Sequence, residues 1–177
     1  MQTDVFMKTC KNREYISIGS NCSSASILQS KNLRTQAYPF DWNCTPLNSA
    51  FTLLLNNFEG FMDDIQVDET LVNQTYPSFV VALESTYNIL LPHHISGDEY
   101  KAEPIKTLDR VRKMYKRRIN RIYNTLESKK DIVFFFSTGL NNNQSNWYRT
   151  YKACVLTFGS KCFFFSVRKH NDISVSA

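Results

Sequence analysis

Two short segments of the sequence carry side chains able to attack a carbonyl group. Cys22 follows the turn sequence Gly19-Ser20-Asn21, at the point where a helix is predicted to begin. A thiolate is stabilised at a helix N-terminus, because unpaired N–H groups and the helix dipole favour negative charge there. His93 and His94 stand together in Ile-Leu-Leu-Pro-His-His, at the end of a predicted strand. The pattern indicates a cysteine nucleophile with a neighbouring histidine as its base.

Two further groups would complete such a site. The backbone N–H of Cys22, together with a side chain just upstream such as Ser20 or Asn21, is placed to hold an oxyanion. Asp41, among the bulky apolar neighbours of Pro-Phe-Asp-Trp, is the candidate that orients the imidazole. Spacing alone favours structural roles for the same residues: a small buried cysteine, surface histidines and an aspartate that anchors a turn.

The elements that must position these residues alternate along the chain. They predict an α/β (α+β) fold, a single domain over residues 1–177 with a central mixed sheet flanked by helices. The Asp63–Tyr76 segment is acidic and polar and is predicted to be a loop. Strands are predicted at Tyr15–Ile18, Ser78–Leu83, Tyr87–Leu91, Asp131–Ser137 and Cys162–Val167. Helices are predicted at Cys22–Gln29, from Pro46 or Leu47, at Pro104–Leu126 and near Ser145–Leu156.

Composition limits the classes of protein to consider. With 177 residues, 42% hydrophobic and 21% charged, the chain is long enough for one domain with its own core. The N-terminus has no apolar region typical of a signal peptide, and no apolar run reaches the roughly 18 residues of a membrane span. These two features predict a cytoplasmic location. The five cysteines include no CxxC pair, which predicts reduced thiols and no zinc site. Nothing in the sequence specifies an oligomeric state.

Several motifs, taken in order, resemble a known family. They are Ile16-Ser-Ile-Gly-Ser-Asn-Cys22-Ser, Leu33-Arg34, Tyr38-Pro-Phe-Asp-Trp42, Ile89-Leu-Leu-Pro-His93, Arg117-Arg-Ile-Asn-Arg121 and Ile132–Phe136. Over about residues 14–167 the chain resembles a family of unknown function assigned to the papain-like cysteine peptidases. The resemblance implies a papain-like peptidase-related fold, with Cys22 as nucleophile and His93 as base. His94 is the alternative base if the two histidines exchange roles, and Asp41 matches the family's aspartate.

The third member of a triad stays open at this stage. In the papain-like class the orienting Asp or Asn usually follows the histidine on a neighbouring strand. Here that strand ends in Ser137, and Asn141–Asn143 lie in the loop after it. The implied activity is hydrolysis of an amide or thioester bond in a peptide or other amide-bearing substrate, without a cofactor or a metal.

A basic helix supports a rival interpretation. Eight Lys or Arg lie between Lys106 and Arg121 against one acid, Asp109. An inactive interaction module of the same fold would use this face to bind nucleic acid, an anionic membrane surface or a phosphorylated ligand. A solvated basic face is the simpler interpretation. Alternatively Arg117, Arg118 or Arg121 serves the site by binding a substrate anion.

Overall fold

The computed structural model of the chain describes residues 12–19, 21–72, 76–138, 152, 156–157, 162–168 and 173–176. Within these ranges the strands are β1 (Arg13–Ser17), β2 (Ile65–Val72), β3 (Phe79–Glu84), β4 (Ile89–Ser96), β5 (Asp131–Thr138), β6 (Cys162–Arg168) and β7 (Ile173–Ser176). The helices of at least six residues are α1 (Ser23–Ser30), α2 (Leu47–Leu55), α3 (Gly97–Ala102) and α4 (Pro104–Glu127).

The strands form two sheets. The larger has the order β1-β5-β6-β7, in which β1, β5 and β6 run parallel and β7 is antiparallel to β6. This mixed sheet with flanking helices confirms the predicted fold class. The second sheet, β2-β3-β4, is wholly antiparallel. It supplies the strand that carries the histidines, so the site requires both sheets.

The strands β1 and β5 are buried on both faces, as parallel strands usually are. On one face Tyr15, Val133 and Phe135 pack with Leu28 of α1. The opposite face belongs to the main core, which also contains apolar side chains of α2, β3, β4 and α4. The two sheets therefore share one core, and the carboxyl end of β1 faces the antiparallel sheet.

The helix α4 follows from its sequence pattern. Pro104 occupies its first turn, where a missing N–H costs nothing. Val111, Tyr115 and Ile122 are fully buried along one stripe, while most of the basic residues lie on the other faces. The predicted helix Pro104–Leu126 is thereby confirmed, with one more residue at its end.

The structure corrects two predicted segments. The loop expected over Asp63–Tyr76 is wrong, because β2 pairs with β3 as an edge strand. Its acidic residues lie on the exposed side while Ile65 and Val67 pack against the core, so polar composition concealed a period of two. The strand expected at Tyr87–Leu91 begins at Ile89 and continues to Ser96, because a turn occupies residues 85–88. The helix expected near Ser145–Leu156 lies almost wholly outside the described residues.

Candidate active site

Cys22 lies where β1 gives way to α1, outside the carboxyl end of a parallel strand. Open α/β sheets bind their ligands at such ends. Cys22 is the N-cap residue of α1, and its carbonyl accepts the first helical hydrogen bond, from the N–H of Ser26. The side-chain oxygen of Asn21 accepts a hydrogen bond of 2.9 Å from the N–H of Ser23. This contact fixes the turn and satisfies one of the N–H groups that a helix start leaves unpaired.

Both histidines lie in a bulge of β4, and their side chains point to different sides of the strand. Val80 of β3 pairs with Ile95, and Ala82 pairs with Leu91. Between these pairs β3 has one residue and β4 has three, Pro92, His93 and His94. Pro92 has no N–H to donate to a ladder, so a bulge is where a strand accommodates it. The irregularity turns His93 toward Cys22 and His94 into the core.

The structure brings His93 and Cys22 together. Nε2 of His93 lies 3.1 Å from Sγ of Cys22, within hydrogen-bond reach. The imidazole also contacts two aromatic rings edge to face, that of Trp42 at a centroid distance of 6.4 Å and that of Tyr76 at 5.3 Å. Sequence reasoning missed both rings as site residues. Trp42 was visible only as part of Pro-Phe-Asp-Trp, and Tyr76 carried no signal.

The segment 38–45, called the site loop, fastens these parts to each other. Cys44 and Leu90 exchange two backbone hydrogen bonds, of 3.0 and 3.1 Å, which join the loop to β4. The N–H of Thr45 donates to the carbonyl of Gly19, which joins it to the turn before Cys22. The predicted turn residue Gly19 thus holds the loop through its carbonyl. Ser20, predicted as an oxyanion group, lies outside the described residues.

His94 belongs to a buried polar network. Its Nε2 lies 2.9 Å from Oδ1 of Asn43, which also accepts a hydrogen bond of 2.8 Å from the hydroxyl of Tyr115. The amide of Asn43 donates to the carbonyl of Pro39. Asn43 is fully buried and His94 is 8% exposed. As the alternative base, His94 would have to leave this network to reach Cys22.

Asp41 is held by the loop and by β1. Its carboxylate accepts hydrogen bonds from the hydroxyl of Ser17, from Nε of Arg34 at 2.9 Å and from the N–H of Tyr38 at 3.0 Å. The side chain is 1% exposed, and Arg34 supplies its balancing charge. The contacts found for the carboxylate therefore join it to the frame of the loop and not to an imidazole.

Burial sets the protonation states at the site. It raises the pKa of the Cys22 thiol from 9.0 to about 11, with the nearby Cys44 acting in the same direction and the backbone N–H of Cys22 opposing it. Loss of solvent also lowers the pKa of His93 below 6.5. Both shifts favour the uncharged form, so the pair rests at neutral pH as thiol and neutral imidazole.

The three arginines of α4 have different environments. Arg121 donates a hydrogen bond of 2.8 Å to the carbonyl of Ala37, and Arg118 lies 3.5 Å from the carbonyl of Asp41. From the side of α4, Arg118 therefore contacts the site loop and Arg121 contacts the residue just before it. Arg117 is exposed on the helix surface. Substrate-anion binding by any of the three stays a prediction.

The rival surface is partly neutralised. Lys106 pairs with Glu103 at 2.9 Å, and Arg110 pairs with Glu99 at 2.7 Å. Across the described part of the chain, no helix is both long enough and apolar enough to cross a membrane. In the same part, no three His, Cys, Asp or Glu side chains are grouped so that they could hold a metal ion. Binding of nucleic acid or another anionic partner by this helix stays a prediction.

Comparison with known proteins adds the family context. A family model described as "Putative papain-like cysteine peptidase (DUF1796)" matches residues 13–151. The chain is 25% identical over 132 residues to "Uncharacterized protein R408" of Acanthamoeba polyphaga mimivirus, a match that covers 68% of this chain and 59% of that protein. The chain thus spans about three fifths of the length of that relative. No solved structure matches the chain.

Proposed function

Since the chain belongs to the family whose model is described as "Putative papain-like cysteine peptidase (DUF1796)", we propose that it hydrolyses an amide or thioester bond with Cys22 as nucleophile and His93 as general base. The distance of 3.1 Å between Sγ of Cys22 and Nε2 of His93 is the observation that carries the proposal. A base must lie within such reach of the proton it removes. Peptides and other amide-bearing molecules are the substrates that this chemistry fits.

The reaction begins from the neutral pair. Nε2 of His93 takes the thiol proton as Sγ of Cys22 attacks the substrate carbonyl, which forms a tetrahedral intermediate with a negative oxygen. The imidazolium then returns that proton to the leaving nitrogen or sulfur as the carbon–heteroatom bond breaks. Water, deprotonated by the same imidazole, attacks the acyl-cysteine and releases the acid and the free thiol.

The oxyanion would be held at the start of α1. The N–H of Cys22 lies at the positive end of the helix dipole, where a developing negative charge is stabilised. Asn21 offers a second donor, because its side-chain oxygen is engaged by the N–H of Ser23 and its amide nitrogen carries two protons. In this proposal Asp41 is a positioning residue, which acts by fixing the loop that carries Trp42.

Acetylation by p-nitrophenyl acetate tests the proposal. We expect mass spectrometry to locate the acetyl group on Cys22. The rate should be nearly constant from neutral pH to about pH 9, because burial favours the neutral imidazole of His93 and the protonated thiol of Cys22. At pH 7 the His93→Ala variant should react about 10²- to 10⁴-fold more slowly, the usual contribution of a general base. Its rate should instead rise steadily with pH as thiolate forms.

Cys44→Ser provides the matched control. Cys44 is also a half-buried free thiol of the site loop, and its pKa is likewise raised by burial. We expect this variant to keep the acetylation rate of the parent protein. Equal labelling of Cys22 and Cys44, or a Cys22 rate indifferent to His93→Ala, would contradict the proposal and favour the interaction module built on α4.

A further inference from the structure

We propose that Tyr76, with Trp42, forms a subsite for the leaving group and that this subsite favours substrates with a planar apolar group on the leaving side of the scissile bond. The inference rests on the proposed function, since it assigns the leaving side from the role of His93. Tyr76 and Trp42 are then specificity-determining residues of the same site, and they favour substrates whose leaving group is planar and apolar.

The leaving group of the substrate must lie close to Nε2 of His93. The imidazolium of His93 returns its proton from Nε2, so the leaving nitrogen or sulfur must come within about 3 Å of that atom. Nε2 is also the atom that contacts Sγ of Cys22. The first atoms attached to the leaving group therefore lie beside the imidazole and next to whatever lines it.

Two aromatic rings line the imidazole of His93. The ring of Tyr76 lies 5.3 Å from that of His93, between centroids, with the planes at 72°. This separation lies within the 4.5–7 Å range at which aromatic rings attract one another, so Tyr76 belongs to the aromatic lining of the imidazole. Tyr76 is 53% exposed, so much of its surface is open to an incoming group. Trp42 is half-buried and contacts the imidazole at 84°.

The backbone of Trp42 supports a role at this surface. Its φ is +66°, in the left-handed region that a bulky residue adopts only at a cost. Such strain persists where the surrounding structure holds it, and it concentrates at functional sites. The neighbours Asp41 and Asn43 are buried and hydrogen-bonded, so the loop keeps the indole on the side of His93.

The charged side chains near the site favour a neutral aromatic leaving group over a positively charged one. The guanidinium of Arg118 lies 5.5 Å from the centre of the Tyr115 ring, which contacts His94. The buried carboxylate of Asp41 is already paired with Arg34. Arg118 is half-buried on the side of His94, and no carboxylate among these contacts is left to balance a further positive charge. An uncharged aromatic group meets no such penalty.

Two thioesters with the same acyl group provide the test. S-benzyl thioacetate and S-(cyclohexylmethyl) thioacetate have leaving groups of similar size, but only the first is planar. We would measure acetylation of Cys22 by each and divide the ratio of rates by the ratio for N-acetylcysteine. In the parent protein we expect a preference of about two- to tenfold for the benzyl compound. It should disappear in Tyr76→Ser and persist in Tyr76→Phe.

Ile105→Ser changes an exposed apolar residue of α4, away from the candidate active site, and is the control variant. It should keep the preference for the benzyl compound. A preference that is absent in the parent protein, or unchanged in Tyr76→Ser, would overturn the inference while leaving the acyl transfer intact. Absence of acetylation at Cys22 with both thioesters would overturn the proposed function, and the inference with it.

Discussion

Successive residues of the site loop point to two opposite sides, and these two sides differ in burial. Asp41, Asn43 and Thr45 point inward and are at most 1% exposed. Trp42 and Cys44 lie between them and are half-buried on the side of Cys22 and His93. In β4 the same division falls between two adjacent residues of one type, because the bulge directs His93 to the thiol and His94 to the core.

The difference shows that residues facing the candidate active site and residues that stabilise the loop are direct neighbours along the chain. The inner side holds Asn43 through hydrogen bonds at both its side-chain oxygen and its amide nitrogen, and it holds a carboxylate with three hydrogen bonds. The outer side faces the Cys22 thiol and the His93 imidazole, both half-buried, with the rings of Trp42 and Tyr76 beside the imidazole. Removal of inner residues should therefore lower stability, and removal of the Cys22 thiol or the His93 imidazole on the outer side should lower reactivity.

Asp41→Asn should produce the largest loss of stability. Breaking a buried ion pair costs about 3–5 kcal/mol, and we expect the lower end because the side chain of Arg34 is 21% exposed. Urea unfolding measures the change. Acetylation of Cys22 in the folded variant should change less than about tenfold, since the carboxylate acts through the loop.

Asp63→Asn, at an exposed carboxylate, is the control and should stay within about 0.5 kcal/mol. A different result would reassign Asp41. If Asp41→Asn kept its stability but shifted the lower pKa of the acetylation profile, then the carboxylate would act on His93 directly, as the triad prediction holds.

His94→Ala should also destabilise the fold, by about 2–3 kcal/mol, because it leaves a cavity and removes one partner of the buried Asn43. His93→Ala, on the more exposed side, should cost about 1 kcal/mol or less. Unfolding curves of the two variants compare neighbouring histidines directly. Equal losses, or a larger loss in His93→Ala, would show that the division across the bulge is wrong.

Much of this frame could be predicted from local sequence. The apolar runs at β1 and β5 and the stripe of α4 are periodic patterns that need no knowledge of the rest of the chain. The turn before Cys22 was also predictable from local sequence, through Gly19-Ser20-Asn21. The sequence suggested that His93 approaches Cys22 from a strand end, whereas His93 lies in the bulge within β4, and the catalytic roles stay predictions.

The remainder depends on contacts between distant segments. The bulge of β4 exists only against β3, so sequence alone left His93 and His94 equivalent in position. The partner of Asp41 is Arg34, and Tyr115, which looked like an ordinary core residue of α4, binds Asn43. No local pattern marks such pairs, because each residue's type suits several environments and the tertiary fold selects one.

The smallest effect is a pH dependence of stability caused by His94. Burial and then the nearby Arg118 lower its pKa from 6.5 to about 3, with His93 and Arg110 acting in the same direction and a hydrogen bond to the backbone of Asp41 opposing them. Between those values the unfolded chain binds a proton that the folded chain does not. The free energy of unfolding should therefore fall as the pH drops below about 6.5, by about 1.4 kcal/mol per pH unit at most.

Urea unfolding at pH 7, 6 and 5 measures this slope, and His94→Gln isolates it. Glutamine keeps a side-chain donor for Asn43 and cannot titrate, so other groups contribute equally to both proteins. We expect the variant to lose less stability than the parent protein as the pH falls. Parallel curves would mean that His94 binds a proton as readily in the folded chain as in the unfolded one. In that case the inner side of the loop would be open to water and no different from the outer side.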